Sequence, residues 1–324
     1  MRLRSLPALL LLAPLAGAQV RFPTDQNARL EELGTVFTVT GRQRVPRRVT
    51  LECFRAVKIQ GMGDDATLEI SGNLTMRAAT GGKIEFVDVW VELTPECKGI
   101  SLGDCLFRGK GGIRPSPDGP IDAKLELERV EIDNTASMTL EASGGSILMD
   151  GCWTRGPLTI RGVNRSATTK SNLTLAIYGS SGEVERRIRG LLGGITIEGL
   201  KDGTIRTCDI AGPLALFQDN RKLALDGCNV RAKRVEFKNT VPGGFSGLKV
   251  TKNDFRAEQL VLTAPLQSGK QERLTFETCY FRGLEDLDTI RKELLDDALD
   301  SETGAVAVLK DIRPDPLGLA GTEK

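Results

Sequence analysis

A pattern that recurs along this chain limits its possible folds more than any other feature. It reads apolar, any, apolar, any, any, then Cys (or Asn or Val), any, apolar. The copies are Ile100-x-Leu102-x-x-Cys105-x-Phe107, Leu125-x-Leu127-x-x-Val130-x-Ile132, Ile147-x-Met149-x-x-Cys152-x-Thr154, Gly203-x-Ile205-x-x-Cys208-x-Ile210, Leu223-x-Leu225-x-x-Cys228-x-Val230, Leu248-x-Val250-x-x-Asn253-x-Phe255 and Leu274-x-Phe276-x-x-Cys279-x-Phe281. A second apolar pair follows most copies, for example Met138/Leu140, Leu158/Ile160 and Val235/Phe237. Alternation with period two puts the first two apolar residues on one face of a strand. The step of three to the Cys slot breaks that phase, as a corner or bulge does. Asp150-Gly151 and Asp226-Gly227 sit at the break, and both are turn-forming pairs.

The slots at 208, 228, 253 and 279 are 20, 25 and 26 residues apart. Repeats of that length form solenoids. Period-two patterning and abundant glycine exclude a helical solenoid, and the leucine and asparagine spacing of a leucine-rich repeat is missing. The reading that remains is all-β: a parallel β-helix, with coils stacked roughly 4.8 Å apart and a right-handed crossover. Over about residues 45 to 283 the coils resemble those of the right-handed parallel β-helix superfamily, the pectate-lyase-like proteins. The resemblance lies in the form of the repeat and carries no catalytic motif. Two further stretches fit the template, Leu68-x-Ile70-x-x-Asn73 and Ile84-x-Phe86-x-x-Val89.

The ends read differently. Residues 1–18 have the layout of a secretory signal: Arg2 and Arg4, an apolar stretch over 6–15, and Ala16-Gly17-Ala18 before Gln19. They predict a secreted or periplasmic protein with no membrane span after cleavage. Residues 19–44 are an N-terminal cap segment, in which TDQNARLEEL (24–33) followed by Gly34 predicts a short capping helix. Residues 284–324 are a C-terminal helix and tail. Leu284, Leu287, Ile290, Leu294 and Leu295 predict the helix over 284–299, residues 305–309 a strand, and IRPDPLGLAGTEK a loose tail. An insertion carrying Glu183-Val184-Glu185-Arg186-Arg187 is expected to project from one edge.

Seven cysteines in an exported chain first suggest disulfides. Their pattern argues for a buried column instead. Cys105, Cys152, Cys208, Cys228 and Cys279 share a slot with Val130 and Asn253, where Cys acts as a small apolar residue. A Cys208–Cys228 bridge between neighbouring coils and a Cys53–Cys97 pair both stay open.

The chain has no histidine, which removes His bases, Ser-His-Asp triads and His-ligated metals. Without residues 1–18 the balance is 42 Lys+Arg against 43 Asp+Glu, which gives no global case for nucleic acid. Aligning the coils sets Asp209, Asp226, Asn229 and Asp254 beside Arg231, Arg256 and Arg282. The resemblance implies one use for these rows, a polysaccharide lyase acting on acidic glycans. Asp209, Asp226 and Asp254 would hold Ca2+, Arg231 or Arg256 would remove the proton alpha to a uronate, and Arg282 and Lys252 would contact substrate. Asn229 interrupts that acidic row, and the family's signature motifs are absent. The other use is a solvated ion-pair ladder on a non-catalytic scaffold that needs no cofactor and binds an anionic polysaccharide or a cell-surface component. Trp153, Tyr178 and Tyr280 are the outward aromatic candidates for sugar contact, in a chain that is 5% aromatic.

Overall fold

Each copy of the repeat becomes one rung of a parallel β-solenoid. The computed structural model describes residues 20–315 apart from 80, 134, 165–169, 180–182, 185–186, 189, 241–247, 264–273, 283–306 and 311–312. A coil contributes to three sheets in turn, as Cys105–Arg108, Gly112–Pro115 and Ile121–Glu128 do. Among the described residues every strand pair along the shaft is parallel, and the register from coil to coil is broken only by shifts at Ile121/Asp122 and Thr40/Arg42. In the first sheet Phe37, Ile59, Phe86, Phe107 and Ile132 stack in one inward column, and Ile210, Val230, Phe255 and Phe281 continue it. In the third sheet the column is Leu51, Met76, Leu102, Leu127, Met149, Ile177, Ile205, Leu225, Val250 and Phe276. These side chains are buried and form one continuous core. Identical register brings like against like: Phe86 stacks on Phe107 at 4.5 Å and Phe255 on Phe281 at 5.2 Å. Such pairs add about 0.5–1.5 kcal/mol beyond their buried area.

The phase break has a single backbone cause. The residue before each of the seven slots has a positive φ: Asp104, Arg129, Gly151, Thr207, Gly227, Lys252 and Thr278, between 51° and 64°. One left-handed residue turns the chain from the third sheet into the first and keeps the next side chain pointing inward. Gly151 and Gly227 adopt this conformation freely, whereas Thr207 and Thr278 are β-branched and strained there.

The slot side chains line that corner. Asn253 donates to the carbonyls of Leu225 (3.0 Å) and Thr251 (2.9 Å), and its Oδ1 accepts the Cys228 N–H at 2.8 Å. The thiols follow the same plan with one donor. Cys152 Sγ reaches Leu127 O at 3.1 Å and Asp150 O at 3.6 Å, and Cys279 Sγ reaches Val250 O and Glu277 O, both at 3.5 Å. The slot therefore favours a small side chain that donates to nearby carbonyls, as Cys and Asn do, although Val130 fills it with no donor. Burial raises the thiols: Cys152 is pushed up to about 12, and Cys53 and Cys97 to about 11. All seven cysteines are free, so neither bridge forms.

Several expectations are corrected. The capping helix over 24–33 shrinks to one turn, Leu30–Leu33. Ala28–Arg29 pairs instead with Leu51 and Glu52, while Asn27 Oδ1 accepts the Thr50 N–H at 2.7 Å. Regular pairing already includes Val20–Arg21 and Val36–Val45. Part of the tail is a rung, because Arg313–Asp315 pairs with Tyr280–Arg282. Ala307–Lys310 forms the expected strand against Leu274–Glu277. Asn73 is not a slot residue. Leu68 and Ile70 lie in the second sheet, so the same spacing there leads to a different corner, and Asn73 opens a third-sheet strand. The insertion contains a two-stranded antiparallel hairpin, Glu183–Val184 with Arg187–Ile188. The segments 1–18 and 284–299 lie outside the described residues.

Candidate functional site

The surface is shaped where the corner changes type. Below Cys105 the corner takes more than one residue. The third-sheet strands there end at Cys53 and Ala78, and the second of them reaches Lys83 through a glycine turn closed by Gly82 N–H to Ala79 O at 2.7 Å. Above it, Asp104 and Arg129 turn in one residue. The step between wide and tight corners opens a recess of about 580 Å³ lined by Arg77, Ala78, Ala79, Gly81, Gly82, Gly103, Asp104, Glu128 and Arg129. A second recess of about 190 Å³ adjoins it, sharing Gly82, Asp104 and Arg129 and reaching Lys83, Glu131, Gly151 and Trp153. Together they make a groove along the corner.

Its charges are mutually engaged. Arg129 grips Asp104 through both carboxylate oxygens, Nε and Nη2 each at 2.7 Å, and its Nη1 reaches Glu128. These hydrogen bonds, Asp104 first, hold the Arg129 guanidinium even higher above its ordinary pKa, so it stays cationic and cannot act as a base. Lys83 lies 3.7 Å from Glu131, whose pKa is raised mainly by burial and is partly restored by Lys83 and Arg108. Arg77 donates to Ser101 Oγ at 3.0 Å. Trp153, expected to face outward, is only 8% exposed, with the Arg155 guanidinium 5.8 Å from its ring centroid.

The residues singled out by sequence divide between two faces. Asp209, Asn229, Asp254 and Tyr280 stack in register on the first sheet, where Asn229 donates to Asp209 Oδ1 at 2.7 Å. Asp226 lies across the corner on the third sheet, in the column Arg206, Asp226, Thr251, Glu277. It pairs with Arg206 at 3.5 Å and accepts from Thr251 at 2.9 Å. Lys252 occupies the left-handed corner itself, and it is exposed, as are Arg231 and Arg256. Arg282 ends the last of these first-sheet strands. The corner separates Asp226 from Asp209 and Asp254. Among the described residues no group of three or more Asp, Glu or Cys side chains is placed to hold a metal ion.

A second feature escaped sequence reading. On the second sheet Glu92 is 1% exposed although it faces outward, because Arg42 and Arg114 cover it; Arg114 Nε lies 3.0 Å from its Oε2. Arg42 also holds Glu69 at 3.2 Å, and the Arg114 guanidinium sits 4.6 Å from the Trp90 ring centroid. The signal that could have found the groove is a lapse in the repeat. The stretch Ala78-Ala79-Thr80-Gly81-Gly82 fits no template and lies before the first full copy, which starts at Ile100.

Comparison with protein-family models, with curated proteins and with solved structures gives no match to this chain.

Proposed function

We propose that this protein is an exported, non-catalytic β-solenoid that serves as a rigid scaffold for binding an extended polymer or a cell-surface component. One observation carries the reading. The outward column of the third sheet runs Glu52, Arg77, Gly103, Glu128, Asp150, Tyr178, Arg206, Asp226, Thr251, Glu277 in unbroken register. A polymer laid along this face meets one residue position per coil spacing, roughly 4.8 Å, most of them polar. The acids are largely satisfied by the chain's own donors, as Asp226 is by Arg206 and Thr251, and so are poor cation ligands.

The test is a panel of neutral and acidic polysaccharides, followed by affinity electrophoresis and by absorbance of unsaturated products. The scaffold reading expects saturable binding without product, and no shift of melting temperature with calcium. Unsaturated product that disappears in Arg231→Ala or Arg256→Ala would overturn it in favour of a lyase.

A further inference from the structure

We propose that the corner groove between Ala78 and Trp153 binds a short run of an uncharged, hydroxyl-rich glycan chain. This rests on the scaffold reading and names its binding site and ligand class. It moves the site away from the Asp and Arg rows of the later coils.

Charge selects the ligand class. Three cations enter the groove, Arg77, Lys83 and Arg129, and three carboxylates face them, Asp104, Glu128 and Glu131. An anionic polymer would meet as many repelling groups as attracting ones, at partial exposure where screening is incomplete. Hydroxyl groups both donate and accept, so they are the chemistry that a lattice of fixed donors and acceptors satisfies on both sides. The lattice is preorganised: Arg129 is already held by Asp104 and Glu128, so binding orders few side chains.

The floor fits the same ligand. Gly81, Gly82 and Gly103 put bare backbone at the base of the groove, and Ala78 and Ala79 add a small apolar surface for ring C–H groups. The edge of Trp153 closes the far end. From the Arg77 coil to the Trp153 coil the chain rises three steps, roughly 14 Å, room for a di- or trisaccharide segment.

The test uses the full chain with Trp90→Phe, which leaves Trp153 as its single tryptophan. Gly103→Leu is chosen to fill the groove: a Cβ at Gly103 meets nothing closer than Arg77 Cγ at 3.4 Å, an ordinary van der Waals contact. Neutral polysaccharides (a β-glucan, a mannan and a xylan) and the acidic polymers polygalacturonate and alginate serve as probes. At least one neutral glycan should bind and shift Trp153 emission. Its affinity should change by less than about twofold with added salt and fall by roughly tenfold or more in Gly103→Leu. Glu128→Gln, which keeps the shape, should weaken it less and guards against a misfolded Gly103 variant. Binding only to acidic polymers, or neutral binding unaffected by both variants, would overturn the groove while leaving the scaffold reading intact. Absence of binding to every polymer would overturn both.

Discussion

The coils on either side of Cys105 solve the same geometric problem in different ways. Those above it turn from the third sheet to the first with one left-handed residue and a small buried side chain in the slot, Cys, Asn or Val. Those below it use longer turns after Cys53 and Ala78, and they gather charge on the second sheet around a buried Glu92. The tight corner standardises each rung and leaves a flat, continuous face. The wide corner breaks that uniformity, and the mismatch between the two creates the groove. Regularity gives the shaft its stability here, and the lapse in regularity gives it a concave surface.

The largest expected effect breaks the early coils. The double change Arg42→Ala with Arg114→Ala removes the hydrogen bonds of both arginines to Glu92 and uncovers its carboxylate to water. It should cost about 3 kcal/mol in denaturant unfolding, two charge-assisted hydrogen bonds at the low end of their range, and Glu92→Leu, which removes the same bonds, should cost a similar amount. In the later coils, Asn253→Ala strands the Cys228 N–H and two carbonyls. A loss of about 2–3 kcal/mol is expected, and Asn253→Cys should recover roughly half of it by restoring a donor. An equal loss for the two Asn253 variants would break the equivalence drawn between thiol and amide.

The thiol column also makes the later coils sensitive to alkali. Cys152 is held up to about 12 by burial, while its ordinary value is 9.0. Between those values the folded state keeps a proton that the unfolded chain has lost. This contribution is therefore fully present below pH 9 and fades as the pH rises, at about 1.4 kcal/mol per pH unit for each such thiol. Unfolding midpoints measured across that range should fall, and Cys152→Val should flatten the slope, with Val130 showing that the slot accepts valine. The smallest effect concerns strain at the corner. Thr207→Gly should stabilise by about 0.5–1 kcal/mol, the relief of a left-handed β-branched residue less the entropy glycine adds to the unfolded chain. A thermal shift in the opposite direction would show that Thr207 makes contacts worth more than its strain.

Much of the shaft was legible because its signal is local. Period two fixes which side chains face inward, and a repeat of roughly one coil in length fixes stacking. The slot was legible for the same reason, since Cys, Val and Asn recur at one phase. The sites were less so. Asp209, Asp226 and Asp254 align on paper, but a corner lies between 226 and 229, and a one-residue turn sends Asp226 to another face. Asn73 matched the template on the wrong sheet, because alternation marks a strand without saying which side of the coil it occupies.

The sequence by itself determined an all-β chain of stacked coils with an apolar and thiol interior, since side-chain alternation and repeat length are properties of neighbouring residues. Only the tertiary structure decided which outward residues meet. Arg129 with Asp104, Glu92 beneath Arg42 and Arg114, and the groove from Arg77 to Trp153 all join residues about 20 to 80 positions apart. Their meeting depends on the number of residues each corner consumes, and that number is set by backbone conformation rather than by hydrophobic pattern.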